Sequence, residues 1–164
     1  MILRSIALAG GLAGAATTSQ FPEFSQQYLQ RLGGAVDALG EVVADFDASA
    51  AASDLSRDDA LGQMTGTAFL ERRGADMTRI INRYERLSAD LATLEGHGPF
   101  MRAYHAASFT DTDIAQAAWE AYQPAVPVSF AGLSFAGLGF ALGSLAVGGV
   151  LGLLRMPFRR RQKA

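Results

Sequence analysis

The chain has 164 residues, of which 49% are hydrophobic, and it contains no Cys. This composition excludes a disordered chain, a disulfide-stabilised domain and cysteine-based metal sites or nucleophiles. The formal net charge of −2 hides an uneven distribution, because all sixteen acidic residues lie between Glu23 and Glu120. Eight arginines share that region and leave it at −8, whereas the six remaining cations lie near the two ends of the chain.

The first predicted element is an apolar segment over residues 1–21, in which Arg4 is the only charged residue. It predicts an N-terminal transmembrane span, although a cleaved signal peptide with Ala13-Gly14-Ala15 at its cleavage site is the alternative. Gly10 and Gly14 form a small-xxx-small pair, a pattern that lets helix backbones approach closely in lipid. Both interpretations place the next segment outside the cytoplasm.

Residues 22–96 predict an antiparallel helical hairpin. Apolar positions recur at alternating steps of four and three from Tyr28 through Val42 to Ser49, and again from Met77 to Leu94. This spacing is typical of a coiled-coil seam, so we expect two long helices that pack on each other. The polar patch over residues 48–54 is the expected turn, and Ser56 with Asp59 resembles a capping box that begins the second helix.

Several arginines follow one another along the second predicted helix, namely Arg72, Arg79, Arg83 and Arg86. A basic stripe of this kind is one signal of nucleic-acid binding. The surrounding region is strongly acidic, so we expect no nucleic acid here. We predict a solvated helix face with ion pairs to the first helix.

Residues 97–124 predict short amphipathic helices, one of them opened by Thr110 with Asp113. Trp119 and Tyr122 precede the last apolar run, where interfacial aromatic residues are expected at the outer membrane surface. The alternative is that both side chains pack on the hairpin, since Trp and Tyr suit either setting.

Residues 125–156 predict the second transmembrane span. No charged residue occurs from Ala121 to Leu154. The 27 residues from Val128 to Leu154 reach about 40 Å as a helix, enough to cross a hydrocarbon core of ~30 Å. Two further small-xxx-small pairs make this span a predicted helix-packing surface: Gly139 with Gly143, and Gly148 with Gly152.

The tail over residues 157–164 is basic, and its cations are expected among anionic lipid headgroups: Arg159, Arg160, Arg161 and Lys163. A topology signal alone also explains them. Because cations flank both apolar ends, we expect both termini in the cytoplasm and the acidic middle on the other side, in the periplasm of a bacterium.

We find no pattern that predicts a catalytic, cofactor or metal site. His97 and His105 lack the HxxxH or HExxH spacing of zinc sites, and no nucleophile elbow or phosphate-binding loop occurs. GLGFALG, over residues 137–143, lies inside an apolar run of membrane length and lacks the strand and acidic residue of a dinucleotide fingerprint.

Four stretches together resemble a family of small bacterial inner-membrane proteins known only as a domain of unknown function: SQFPEFSQQYLQRLGGAVDAL, GTAFLERRGADMTRIINRYERLSADLATL, AWEAYQPAVPVSFAG and PFRRR. The resemblance implies an inner-membrane protein and supplies no catalytic or binding residue.

The sequence therefore predicts an all-α protein with two transmembrane helices that flank a helical hairpin and short amphipathic helices. The leading functional hypothesis is a non-enzymatic accessory or scaffold subunit of a larger inner-membrane complex, in contact with lipids and without a cofactor. Self-association into a membrane-organising oligomer is one alternative. A sensor or ligand-binding module near His97 and His105 is another.

Overall fold

The computed structural model describes residues 2–124, 126 and 128–160, and within these ranges it contains helices and no strand. The expected all-α class is confirmed. The helices are α1 (Ile2–Thr18), α2 (Phe21–Ala51), α3 (Arg57–Gly62), α4 (Ala68–Leu94), α5 (Pro99–Tyr104), a short 3-10 helix (Ala106–Ser108), α6 (Thr112–Glu120) and α7 (Phe130–Arg160).

The chain divides into two compact units. One comprises residues 1–26 and 122–164, and thus contains α1, the first residues of α2, and α7. The other comprises residues 27–121, with the rest of α2 and the helices α3 to α6. We refer to them as the α1/α7 unit and the hairpin unit.

In the α1/α7 unit, the two helices pack in antiparallel directions through glycines. Gly14 lies against Gly139, and Gly10 lies against Gly143. A Cβ atom added at Gly139 would overlap the carbonyl oxygen of Gly14, and one added at Gly143 would lie 3.4 Å from the Cα of Gly11. Backbone thus meets backbone, which is the close approach that small residues permit between membrane helices.

A hydrogen bond between the helices accompanies this contact. The Thr18 hydroxyl donates to the carbonyl oxygen of Phe135 at 2.6 Å. Nearby, the rings of Phe21 and Phe135 lie 5.3 Å apart. The polar bond and the aromatic contact fix the register of the two helices at the end where α1 leads into α2.

Among the described helices, α7 is the one that is long and apolar enough to cross a membrane, over Phe130–Leu153. The expectation of two such helices is therefore corrected to one. α1 has 17 residues, which at ~1.5 Å per residue span about 26 Å, less than the ~30 Å hydrocarbon core.

In the hairpin unit, α2 and α4 run antiparallel. Tyr28, near the start of α2, lies beside Asp90, near the end of α4, and Gly40 lies beside Tyr84 in the middle of α4. The core is formed by apolar side chains of three helices: Tyr28, Leu32, Val43 and Ala50 of α2, Ile81, Leu87 and Leu94 of α4, and Ile114 and Ala118 of α6.

The buried positions depart from the expected coiled-coil seam. Val43 is buried, whereas Val42, the predicted seam residue, is 40% exposed. Similarly Ala50 is buried and Ser49 is exposed. A straight helix with 3.6 residues per turn rotates away from a repeat of 3.5, so the buried side shifts by one residue along a helix of this length.

The helix starts are set by capping side chains. Ser56 caps α3 by accepting from the backbone N–H of Asp59, as the expected capping box requires. The long second helix begins later than expected, at Ala68, where Thr67 accepts from the N–H of Leu70. α6 is capped by Asp111, which replaces the expected Thr110 because its carboxylate reaches the N–H of Ile114.

We predict that Gly139→Ala destabilises the protein by about 1–3 kcal/mol, because the added methyl group must displace the backbone of α1. The measurement is the melting temperature of the full chain in a mild detergent. Gly148→Ala is the matched control, since its Cβ would meet nothing within 4 Å. It should be neutral or stabilising by up to about 1 kcal/mol, the helix propensity difference between Gly and Ala. Equal melting temperatures for the two variants would contradict the glycine contact.

Candidate functional site

The most distinctive surface of the hairpin unit is an open groove of about 640 Å³ between α2 and α4, which we call the basic groove. Four of its lining residues are arginines, although the unit as a whole is acidic. Three of them, Arg79, Arg83 and Arg86, recur at steps of four and three along α4, so that they share one face of the helix. Leu39 of α2 and residues of α4 line the groove: Arg73, Asp76, Arg79, Ile80, Asn82, Arg83 and Arg86.

One end of the basic groove is organised by Asp111, whose side chain is 5% exposed. Arg83 binds it in a bidentate manner, with Nε donating to Oδ2 and Nη2 to Oδ1, both at 3.1 Å. Arg86 donates from Nη2 to Oδ2 at 3.2 Å. A buried carboxylate needs such partners, because charge-assisted hydrogen bonds offset the cost of its removal from water.

The same carboxylate also accepts a hydrogen bond from the backbone N–H of Ile114, at 3.1 Å. Asp111 is thus at once the N-cap of α6 and the counterion of two arginines on α4. The N-terminus of a helix carries a partial positive charge, so it adds to the attraction for this anion. A single side chain therefore holds α6 against α4.

Tyr28 of α2 completes this cluster. Its side chain is fully buried, its ring lies 4.5 Å from that of Phe109, and its hydroxyl oxygen accepts from the backbone N–H of Asp111 at 3.4 Å. Burial raises the pKa of Tyr28, since it disfavours the phenolate. Next to it, the Thr110 hydroxyl donates to the buried Asp90 carboxylate at 2.5 Å.

At the other end of the groove, Asp76 is shared by two arginines. It pairs with Arg79 and, at 3.8 Å, with Arg73. These side chains are more exposed, Arg79 at 73%, so the pairs are screened by water and contribute little to stability. The predicted pairs to the first helix are therefore corrected: these arginines pair with Asp76 on α4 and with Asp111 at the start of α6.

Arg57 of α3 makes the contact to α2. It donates from Nε to Asp47 Oδ1 at 2.7 Å and from Nη2 to Oδ2 at 2.5 Å, and it lies 3.7 Å from Glu85. The hydrogen bonds from Arg57 lower the pKa of Asp47. This fork holds the turn of the hairpin, and it lies apart from the basic groove.

The two histidines come together, with ring centroids 5.5 Å apart, and His97 Nδ1 lies 2.9 Å from the carbonyl oxygen of Thr93. Over the described residues, no group of three or more His, Asp or Glu side chains is placed to hold a metal ion. Neither His lines the basic groove.

The predicted packing glycines divide into two sets. Gly10 and Gly14 contact Gly143 and Gly139 within the α1/α7 unit, whereas Gly148 and Gly152 have open space around them. Sequence spacing does not distinguish the two pairs, because both are small-xxx-small. Only the position of α1 along α7 decides which pair is used inside the chain.

The predicted interfacial residues also differ from each other. Trp119 is 67% exposed on α6, and Tyr122 is partly buried and donates its hydroxyl to Gln20. Of the basic tail, Arg159 and Arg160 lie in the last turn of α7, and Arg161 and Lys163 lie outside the described residues.

The Asp111 cluster is the feature that sequence reasoning missed. Its local signal is the tripeptide Asp111-Thr112-Asp113 before an apolar helix, which is a typical N-cap pattern. That pattern carries no information on the arginines 25 and 28 positions earlier. Their pairing depends on the path of the chain between the two helices.

A protein-family model matches residues 2–160, and its description is a protein of unknown function, DUF2937. No curated protein and no solved structure matches the chain. The chain belongs to the DUF2937 family.

We predict that Asp111→Asn destabilises the hairpin unit by about 2 kcal/mol, a value below that of a fully buried pair because both arginines are partly exposed. The asparagine keeps a capping oxygen but leaves two guanidinium groups without their shared counterion. Urea unfolding of the full chain in detergent, followed by circular dichroism, measures the change. Asp113→Asn, at a carboxylate that is 82% exposed and 3.7 Å from Arg83, is the control and should stay within about 0.5 kcal/mol.

We predict that the pKa of Tyr28 is raised above the ordinary value of a tyrosine, because its side chain is buried. Its folded pKa lies above the unfolded value of about 10, so its contribution to stability is full below that pH and is lost as pH rises through the folded pKa. Absorbance at about 295 nm, where phenolate absorbs, gives the titration, and Tyr28→Phe should remove a component that ionises above the ordinary tyrosine pKa of about 10. Loss of a component that ionises at or below about pH 10 would contradict this assignment.

Proposed function

We propose that this member of the DUF2937 family is a membrane-anchored, non-enzymatic accessory subunit that docks onto a larger protein complex of the bacterial inner membrane. The observation that carries the proposal is the surface of α7. Only 6% of its most apolar window is buried, and large side chains such as Leu142, Leu145 and Leu153 are more than half exposed. A continuous apolar surface of this size favours lipid or a partner helix over water.

In this proposal α1 is a second, shorter membrane segment. The glycine contact with α7 supports it, because two antiparallel helices that share backbone contacts enter the same layer. A segment shorter than the hydrocarbon core is accommodated by local thinning of the bilayer. Antiparallel helices bring the start of α1 and the end of α7 to one side, and the sequence has cations near both of these ends. The positive-inside rule assigns such a side to the cytoplasm.

The docking surface is the part of α7 that α1 leaves free. Gly148 and Gly152 meet nothing within 4 Å and lie four residues apart, on one face of the helix. Such a face allows the backbone of a partner helix to approach closely. The hairpin unit would then face the periplasm, and the tail cations would contact lipid headgroups on the cytoplasmic side.

The test is purification of a tagged full chain from native membranes in a mild detergent. We expect a membrane protein to co-purify, and Gly148→Leu with Gly152→Leu to reduce its recovery at least about tenfold, because leucines prevent close helix approach. Val150→Leu is the control, because it places a leucine at a neighbouring exposed position where the native side chain is already large, and it should leave recovery of the partner unchanged. Recovery of a free monomer from wild-type membranes would overturn the proposal.

The same exposed glycine face also favours a second candidate function, self-association of α7 into a membrane-organising oligomer. The chain contains no Cys, so Gly148→Cys introduces a single thiol. Oxidative crosslinking in membranes distinguishes the two functions, since self-association yields a disulfide-linked homodimer and docking onto another protein does not.

A further inference from the structure

We propose that the basic groove binds a second copy of this chain, and that its occupant is the acidic outer face of α2. We define that acidic face by Ala38, Glu41, Val42 and Asp45, which share one side of the helix at spacings of three and four residues. The inference concerns the hairpin unit, and it does not depend on whether α7 docks onto a partner complex.

The basic groove attracts an anionic surface. Its four arginines pair with three carboxylates, those of Asp76, Asp111 and Asp113, so positive charge remains. Each of the four arginine side chains is at least 40% exposed, so the groove is open to a partner from solvent. Arginine forks of this kind recognise carboxylates by paired hydrogen bonds.

The shape of the groove suits a helix. Its lining residues on α4 run from Arg73 to Arg86, a rise of about 20 Å at ~1.5 Å per residue. It is an open surface with Leu39 and Ile80 among the arginines. A groove that offers apolar residues to one face of a helix, with charged residues beside them, is a common way to bind a helix.

The acidic face of α2 is the complement present in the same chain. Glu41 and Asp45 are exposed and enter none of the ion pairs formed within the described part of the chain. They are separated by four residues, as are Arg79 and Arg83 in the groove. Both pairs therefore have the same rise of about 6 Å, and two aligned helices can bring one carboxylate beside Arg79 and the other beside Arg83. Arg79 is the more exposed of the two at 73%, whereas Arg83 also holds Asp111.

The apolar residues match in the same way. Val42 is 40% exposed on the acidic face, although the buried side of α2 uses its neighbour Val43. In the proposed contact Val42 lies against Leu39 and Ile80 of the other copy and is removed from water. Two copies in one membrane also meet at a high effective concentration, so a contact of modest affinity is sufficient.

The test is a charge swap between two differently tagged copies of the full chain, co-expressed and purified in mild detergent. One copy carries Glu41→Arg with Asp45→Arg, and the other carries Arg73→Glu with Arg79→Glu. The groove substitutions avoid Arg83 and Arg86, which hold Asp111. Each variant repels its own kind, but both contacts are attractive in the mixed pair.

We expect wild-type copies to co-purify with each other, and each variant paired with itself to lose at least about tenfold of that recovery. The mixed pair should return to within about threefold of wild type, and 0.5 M salt, at about a 4 Å screening length, should weaken it. Glu95→Arg with Glu120→Arg changes the net charge equally outside the acidic face, and should leave recovery unchanged. Circular dichroism of each variant checks that it is folded.

A single disulfide locates the contact. A copy with Val42→Cys and a copy with Asn82→Cys should form a crosslinked pair on oxidation, and Ser53→Cys in place of Val42→Cys should not. The inference is overturned if wild-type copies do not co-purify, or if reversal of the groove charges leaves self-recovery intact. It is also overturned if those reversals instead release a different acidic protein, which would then be the occupant. These outcomes can be interpreted even if no partner protein co-purifies in the experiment described above, because they depend only on contacts between copies of this chain.

Discussion

The backbone contact between α1 and α7 is the constraint on which the α1/α7 unit depends. At Gly14 and Gly139 the two helices approach so closely that neither position has room for a methyl group. In a contact between small residues such as this one, close packing and hydrogen bonds hold the helices together. The bond from Thr18 to the Phe135 carbonyl is one of these. With α1 placed in this way, most of the apolar surface of α7 stays exposed.

The hairpin unit depends on a different interaction, the burial of one carboxylate. Asp111 joins α6 to α4 through two arginines, and its backbone N–H reaches Tyr28 on α2. Three helices therefore converge on a group that would be costly to bury without them. This arrangement also uses two arginines of the basic groove as structural residues, and leaves Arg73 and Arg79, which share the exposed Asp76, as the more adaptable ones.

Local patterns in the sequence were reliable where a local cause sets the structure. The helical class, the capping role of Ser56 and the length of α7 follow from apolar periodicity, capping chemistry and the absence of charge. The seam along α2 was shifted at Val42, because a repeat of 3.5 and a helix of 3.6 residues per turn diverge over 31 residues. The arginine stripe could be predicted from the sequence, but its ion-pair partner Asp111 could not, because an ion pair between distant segments has no local sequence pattern.

The sequence by itself thus determined that the chain is helical, that its charge is divided between an acidic middle and basic ends, and that its last apolar run is of membrane length. Each of these properties is a sum over neighbouring residues. Only the tertiary structure decided that Gly139 and Gly143 pack while Gly148 and Gly152 remain open, and that Asp111 receives Arg83 and Arg86. These choices depend on where a distant helix lies, and identical local patterns allow either outcome until that helix is in place.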